Sequence, residues 1–457
     1  MSDHFDLIVA GGRCMTPGGA VAADVGVRGG RIAALGDLTG ASADETVAAA
    51  GLHVLPGVID SQVHFREPGG ERKEDLATGT AAAAAGGVTT VFEMPNTKPG
   101  TTTEAALADK LARAEGRAWT DHAFFVGATA GNVDALAALE RRPGCSGVKI
   151  FMGSSTGDLL VPDDATLAAV LAAGTRRAAV HSEDEARLVE RRAQIPAGAD
   201  ASHHPVWRDT ETAVRATRRL LAHARAAGRR VHVLHVTTAD EMVLLAAHKD
   251  LATVEVTPQH LTLAAPECYE RLGTLAQMNP PIRDAEHRAA LWRAVADGVV
   301  DVVGSDHAPH TLEEKAAAYP ATPSGMPGVQ TLVPLLLDHV NAGRLTLERF
   351  VDLTAHGPAR IYGVAGKGRL AVGYDADLTL VDLAARRTIT NAWTRSRCGW
   401  TPFDGMTVTG WPLATIVRGH VVMRDDELIG APPGRPVRFV ECLAAAAGDG
   451  SRSASDA

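Results

Sequence analysis

The sequence predicts an α/β protein in which a (β/α)8 barrel carries a small second domain of β-strands. Between residues 54 and 306, eight short apolar runs alternate with alanine-rich or amphipathic segments of helical periodicity. At both ends of the chain, β-branched pieces alternate with glycine turns instead. Polar residues close the apolar runs, at the strand ends where a barrel of this class places its chemistry.

The domain organisation follows from these two patterns. A chain of 457 residues suits a barrel of roughly 250 residues or more together with an accessory domain. We predict that residues 1–55 and 366–440 form one composite β domain and that residues 56–365 form the barrel. The last stretch, residues 443–457, is predicted to be a disordered tail.

Eight strands and the helices between them are predicted in chain order. The strands are VLPGVID, VTTVFEM, HAFFVGA, GVKIFM, RAAVHSE, VHVLHV, ATVEVT and DVVGSD. Helical segments run, for example, from Leu76 to Ala85 and from Trp207 to Ala226. Eight ionisable residues lie at or just past the strand ends: Asp60, His64, Glu93, Lys149, His181, His235, Glu255 and Asp306. Because these ends meet at one face of a barrel, we expect the side chains to lie together.

Composition narrows the class of partner. The chain is 46% hydrophobic and 22% charged with a net charge of −9, so nothing favours nucleic acid or an anionic membrane, and a small-molecule partner is expected. Five scattered cysteines form no CxxC pair, no basic-then-apolar leader is present, and no apolar stretch approaches roughly 20 residues. A reduced, cytoplasmic protein is expected.

Four of the strand-end residues suit a metal centre. His64, His181, His235 and Asp306 follow strands one, five, six and eight, and a metal that activates water needs such neutral imidazoles and anionic oxygens converging on one point. One such histidine alone is more often a structural residue, whereas four together favour ligands. Asp306 is also placed to take a proton from the attacking water as a general base.

Lys149 is a further candidate, because the chain has only seven lysines against 38 arginines and this one lies in the apolar run GVKIFM. In the ordinary interpretation its ammonium group reaches solvent at the strand end. In the alternative, burial lowers its pKa and the amine reacts with carbon dioxide. The resulting carbamate has two oxygens and could bridge two metal ions.

The motifs DSQVHFREPG, MPNTKP, GVKIFMGSSTG, VHSED, VLHVTT, VTPQHL, MNPPIR and GSDHAPH together resemble the dihydroorotase branch of the amidohydrolase superfamily, whose relatives include dihydropyrimidinases and allantoinases. The resemblance implies a (β/α)8 TIM barrel with a β-sandwich built from both chain ends, and hydrolysis of a cyclic amide. It also implies one or two divalent metals, usually zinc, and a homo-oligomer, commonly a dimer or tetramer. By position, His64 would bind the first metal, His181 and His235 the second, Lys149 would carry the bridging carbamate, and Asp306 would be both ligand and base.

The resemblance also points to a substrate with a carboxylate, which a planar guanidinium holds well. In dihydroorotases, the residues matching Arg66, Asn96 and His310 hold that carboxylate, and the residue matching Asn279 contacts the ring. The expected reaction is therefore the interconversion of N-carbamoyl-L-aspartate and L-dihydroorotate in pyrimidine biosynthesis. A structural ion pair of Arg66 with Glu67 or Glu71 is the alternative for that residue. The segment SGMPGVQTLVPLLL also resembles allantoinases, which keeps that activity as an alternative.

One expected metal-ligand position departs from the family pattern. The first strand of the family carries His-x-His, but Gln62 replaces the first histidine, and a neutral amide oxygen is a weaker zinc ligand than imidazole. The first metal site is therefore expected to be weak or empty. Three interpretations remain: a dihydroorotase with one tight metal, an allantoinase or hydantoinase (dihydropyrimidinase-type) enzyme, and a non-catalytic structural partner of aspartate transcarbamoylase.

Overall fold

A computed structural model describes residues 4–154 and 159–443, so the tail predicted for residues 443–457 lies outside the described residues apart from Leu443. Strands from both ends of this chain form one mixed nine-stranded sheet. Its members are β1 His4–Thr16, β2 Gly19–Arg28, β3 Arg31–Gly36, β4 Ser42–Ala48, β5 His53–Pro56, β14 Leu378–Thr388, β15 Thr407–Val417, β16 His420–Arg424 and β17 Glu427–Leu428.

The remaining eight strands are parallel and pair in chain order. They are β6 Val58–Val63, β7 Val88–Glu93, β8 Asp121–Gly127, β9 Cys145–Phe151, β10 Ala178–His181, β11 Val231–Val233, β12 Ala252–Val256 and β13 Val302–Val303. A parallel bridge between Val63 and His307 brings the first strand beside the chain that follows the last, so the barrel is nearly closed. The predicted fold class is confirmed.

Helices cover the barrel strands. They are α1 Leu76–Ala85, α2 Glu104–Ala114, α3 Leu136–Leu139, α4 Asp164–Ala172, α5 Glu185–Arg192, α6 His204–Trp207, α7 Thr210–Ala227, α8 Ala239–Ala246, α9 Pro258–Thr262, α10 Glu267–Leu272, α11 Ala285–Ala296, α12 Leu312–Lys315, α13 Leu332–Asn341, α14 Leu347–Val351 and α15 Gly357–Tyr362. Aspartate or threonine caps most barrel helices, and α7 begins at Thr210, three residues later than predicted, because Asp209 accepts from Thr212 N. No helix among these residues combines the length and apolarity that crossing a bilayer requires.

The run VLPGVID, predicted as one strand, belongs to two sheets. His53–Pro56 pairs with β14 in the mixed sheet, and Val58–Val63 begins the barrel. Gly57 lies at the crossing, where its N–H donates to Asp377 O at 2.7 Å and a Cβ would lie 2.3 Å from Thr89 Oγ1. Only a residue without a side chain fits between the two sheets at this point.

A buried ion cluster joins the barrel to the mixed sheet. Asp121, at the start of β8, lies with Asp375 and Asp377 from the approach to β14, and such a trio of carboxylates could hold a metal ion. A lysine occupies the cluster instead: Lys367 Nζ lies 2.5 Å from Asp121 and 3.5 Å from Asp375 and bonds Asp377. Arg418 adds a second cation, 2.8 Å from Asp121.

Replacing Lys367 with methionine should destabilise the protein strongly, because three carboxylates would stay buried without their central cation. Removing one partner of a buried ion pair costs roughly 3–5 kcal/mol in free energy of unfolding. Chemical denaturation compares this variant with Lys98→Met, which changes an exposed lysine. Equal free energies of unfolding for the two variants would contradict the joining role of the cluster.

Candidate active site

Nine of the ten predicted site residues line one pocket at the C-terminal ends of the barrel strands. The pocket is lined by Gln62, His64, Arg66, Asn96, Lys149, Phe151, His181, His235, Asn279, Asp306, Ala308, Ser324 and Gly325. The tenth, His310, does not line the pocket but contacts Arg66, with His310 Nε2 3.3 Å from Arg66 Nη2. Three of the ionisable strand-end residues do not line this pocket. Inside the barrel, Asp60 accepts from Ser305 N and Glu255 accepts from the Ser61 hydroxyl. Glu93 pairs with Lys110 of α2.

Two imidazoles face each other in this pocket. His181 Nδ1 and His235 Nε2 are 3.0 Å apart, with the ring planes at 80°. Burial lowers the pKa of both histidines, and the positive charge of nearby Lys149 lowers it further. Both rings are therefore neutral at neutral pH, which is the form that binds metal ions.

The orientation of His181 is fixed by two residues that the sequence analysis did not identify. Glu183 Oε2 lies 2.9 Å from His181 Nε2, and Arg208 donates hydrogen bonds to the same carboxylate from Nε and Nη2. Burial by itself would raise the pKa of Glu183, but Arg208 and His181 outweigh it and hold that pKa well below its usual range. The anionic carboxylate accepts the Nε2 proton, so the lone pair of His181 Nδ1 is directed at His235.

Gln62 and His64 meet the carboxylate of Asp306 on the other side of the pocket. Gln62 Nε2 donates to Asp306 Oδ1 at 3.1 Å, and His64 Nε2 lies 3.3 Å from the same oxygen. His64 Nδ1 lies 2.7 Å from Asn96 Oδ1. Gln62 Oε1 is buried and accepts no hydrogen bond from a described residue. The amide that replaces the expected histidine thus binds the carboxylate through its nitrogen.

Lys149 lies inside β9 rather than past its end, with 1% of its surface exposed. Burial lowers the pKa of its amine to about 7, against the opposing attraction of Asp306 and Glu255. The nitrogen lies 4.5 Å above the Phe151 ring, and no carboxylate of the described chain comes within ion-pair distance of it. The side chain does not reach solvent, so the interpretation as an exposed strand-end lysine is wrong.

Arg66 presents its guanidinium to the same pocket. Its Nε donates to Pro309 O at 3.1 Å, and Nη2 lies 3.3 Å from His310 Nε2. Within the described chain it forms no ion pair, and Glu67 instead binds Arg113 and Arg117. The predicted alternative of a structural ion pair with Glu67 or Glu71 is therefore wrong. Burial lowers the pKa of Arg66 to about 10, so the side chain is still charged.

Backbone strain concentrates at this site. Arg66, His235 and Asp306 have φ angles of 65°, 38° and 46°, in the left-handed region that non-glycine residues rarely adopt. Each such residue costs of order 1–3 kcal/mol and persists only where the surrounding structure holds it. The surrounding barrel therefore holds these three residues in a conformation that directs their side chains into the pocket.

A buried lysine fixes two loops at the pocket rim. Lys315, at the end of α12, donates to Gln277 O at 3.2 Å, Pro323 O at 2.9 Å and Gly325 O at 3.1 Å. An ammonium group has three donors, and here each has a carbonyl partner. One loop leads to Asn279, whose Oδ1 lies 2.9 Å from His204 Nε2, and the other carries Ser324 and Gly325 of the lining. Lys315 was not among the residues predicted from the sequence.

The donor set of the pocket fits a divalent cation. Zinc binds imidazole nitrogen at about 2.0–2.1 Å, which places two tetrahedral ligands about 3.3–3.4 Å apart. The spacing of 3.0 Å between His181 Nδ1 and His235 Nε2 is close to this value. Asp306 and the unpartnered Gln62 Oε1 add oxygen donors nearby. Neutral imidazoles, a carboxylate and an orphaned amide oxygen are ligands for such an ion.

Comparison with known proteins agrees with this geometry. The model of the amidohydrolase family matches residues 53–422. The chain is 41% identical to a dihydroorotase of Halobacterium salinarum over 84% of this chain and 89% of the relative. It is 37% identical to an allantoinase of Rubrobacter xylanophilus over 95% and 98% of the two chains. A solved L-hydantoinase of Arthrobacter aurescens superposes with a TM-score of 0.90 at 32% identity, covering 95% of this chain and 99% of that one.

Lys315→Met should loosen the pocket rim, because three buried carbonyls would lose their donor. Each unpaired buried group costs about 1–3 kcal/mol, so we expect the free energy of unfolding to fall by more than about 2 kcal/mol. Proteolysis should also cut the 317–325 loop faster in this variant than in Lys98→Met. A variant as stable and as resistant as that control would contradict the role assigned to Lys315.

Proposed function

Because the chain belongs to the amidohydrolase family and is a hydrolase of cyclic amides, we propose that it is a dihydroorotase, which interconverts N-carbamoyl-L-aspartate and L-dihydroorotate. The observation that carries the proposal is Arg66, a buried guanidinium that lines the same pocket as the histidines and forms no ion pair with a described residue. A buried cation of this kind suits a ring that carries a carboxylate. The 41% identity to a dihydroorotase supports the same choice.

The proposed metal is zinc, with another divalent ion possible, and one or two ions per chain. His181 and His235 would hold the tighter ion together with Lys149 as its carbamate, and His64 and Asp306 would hold the weaker one beside Gln62. When bound, such an ion polarises a carbonyl group and lowers the pKa of water. The proposed carbamate rests on the geometry of Lys149, which is 1% exposed and has no carboxylate of a described residue within ion-pair distance.

The chain's own residues would divide the work as follows. Arg66, with Asn96 and His310 beside it, holds the substrate carboxylate, and Asn279 contacts the ring. This fixes the amide carbon near Asp306, whose carboxylate takes a proton from the attacking water and returns it to the leaving ring nitrogen. Ring closure of N-carbamoyl-L-aspartate runs through the same positions in reverse.

An allantoinase or hydantoinase activity is the second candidate. The superposition on L-hydantoinase at a TM-score of 0.90 favours it, and so does the 37% identity to an allantoinase. A non-catalytic partner of aspartate transcarbamoylase is less well supported, because drift after loss of activity would erode several pocket positions. Here Gln62 is the one departure among the six expected metal-ligand positions.

A substrate panel tests the proposal. The purified protein, supplied with zinc or another divalent metal, is assayed on dihydroorotate, N-carbamoyl-L-aspartate, allantoin, hydantoin and dihydrouracil. We expect kcat/KM for dihydroorotate to exceed that for each uncharged ring by about tenfold or more, which corresponds to about 1.4 kcal/mol of transition-state discrimination. A preference for an uncharged ring, or no turnover with any metal, would rule out the dihydroorotase assignment.

Arg66→Met should remove that preference while metal content stays unchanged. The variant loses the group that pairs with the substrate carboxylate, so kcat/KM for dihydroorotate should fall by a factor of about 100 or more, whereas uncharged rings should be affected far less. Arg218→Met, at an exposed arginine of α7 that forms no ion pair with a described residue, is the matched control. An unaltered substrate profile in Arg66→Met would exclude the clamp.

Gln62→His tests the effect of the substitution on metal binding. Imidazole is a stronger zinc ligand than a neutral amide, and the change also removes the hydrogen bond to Asp306. After dialysis against a weak chelator, the natural protein should retain about one ion per chain and the variant about two. Two tightly held ions in the natural protein would contradict the weak first site.

A further inference from the structure

A second polar cavity lies at the opposite, N-terminal end of the barrel. It measures about 260 Å³ and is lined by four arginines, Arg176, Arg177, Arg230 and Arg360, together with Ser146 and Tyr362. Ser146 is the second residue of β9, Arg177 directly precedes β10, and Arg230 directly precedes β11. The cavity is therefore separated from the active-site pocket by the length of the barrel strands.

The charges around this cavity are not balanced. Its two carboxylates already have partners, since Asp301 binds Lys249 and Glu441 lies 3.4 Å from Arg176 Nε. Arg360 lies 3.6 Å from Asp352. Arg177 and Arg230, by contrast, form no ion pair with any residue of the described chain. Burial and the repulsion of Arg230 lower the pKa of Arg177 to about 10, so the guanidinium group of Arg177 remains charged.

Two buried donors at the cavity also lack a partner. Ser146 is 1% exposed, and its hydroxyl makes no hydrogen bond with a described residue. Arg177 donates from Nη1 to Val231 O at 2.9 Å, while its Nε is buried and unbonded. Buried donors without an acceptor cost free energy, and two repelling cations add to that cost. An anion would satisfy both requirements at once.

We propose that this cavity binds a small phosphate-type anion between Arg177 and Arg230, with the Ser146 hydroxyl as a further donor. Guanidinium groups pair with phosphate through parallel, charge-assisted hydrogen bonds. The volume of 260 Å³ lies just under the range for sites that hold drug-sized molecules, so the ligand is inorganic phosphate, diphosphate or the phosphoryl end of a larger metabolite. The site is independent of the reaction proposed for the barrel mouth.

Calorimetric titration with inorganic phosphate, pyrophosphate and adenosine monophosphate, at constant ionic strength, tests the site and separates the possible sources of the phosphoryl group. At least one probe should bind saturably to the natural protein. The double variant Arg177→Gln/Arg230→Gln should bind it about tenfold more weakly or worse. Arg230→Gln alone should also weaken binding, with little risk to folding, because the Arg230 side chain is exposed and bonds no described residue.

Arg218→Gln and Arg66→Met are the controls. The first removes an arginine remote from the cavity and should leave the dissociation constant unchanged. The second distinguishes this cavity from the active site, where Arg66 would also attract an anion. The proposal is overturned if no probe binds saturably, if the Arg230 variants bind as tightly as the natural protein, or if only Arg66→Met weakens binding.

Discussion

The active-site arrangement depends on two imidazole nitrogens that face each other across 3.0 Å inside the barrel, His181 Nδ1 and His235 Nε2. Two neutral rings satisfy this contact only if one of them supplies a proton, and Glu183 already takes the proton from the far side of His181. His235 must then donate, which leaves its Nδ1 buried and without a partner. A cation between the two lone pairs would remove this conflict. The two rings are held in this arrangement by the barrel strands, by the Glu183–Arg208 pair and by the positive φ of His235.

Buried charge is treated in two different ways across the molecule. Where it joins elements, it is compensated: Lys367 lies among three aspartates between the two sheets, and Lys110 lies 2.5 Å from Glu93. Where it lines a cavity, it is not: neither Arg66, buried in the barrel mouth, nor Arg177, half-buried at the barrel base, has a carboxylate partner in the described chain. A cation withdrawn from water without a partner is costly, and for this reason we propose an anionic ligand at each of these two positions.

The hydrophobic pattern of the sequence was enough to predict the strands and the pocket residues, because in a barrel the ends of consecutive strands lie side by side. Nine of ten named site residues meet in one pocket for that reason. The residues that support them were not predicted, since Glu183, Arg208 and Lys315 acquire their roles from partners far along the chain. A carboxylate two residues after His181, in the motif HSED, was the one available signal. The split of the first strand at Gly57 was also missed, because the alternative partner, β14, lies more than 300 residues away.

We propose that the metal ion of this pocket binds between His181 and His235, and that Gln62 weakens the neighbouring site. Anomalous diffraction at the zinc edge, from crystals grown with limiting zinc, tests this claim most directly. We expect the strongest peak within bonding distance of His181 Nδ1 and His235 Nε2, with a weaker peak or none beside His64. A dominant peak at His64 and Gln62, or no ordered ion near the facing imidazoles, would contradict it.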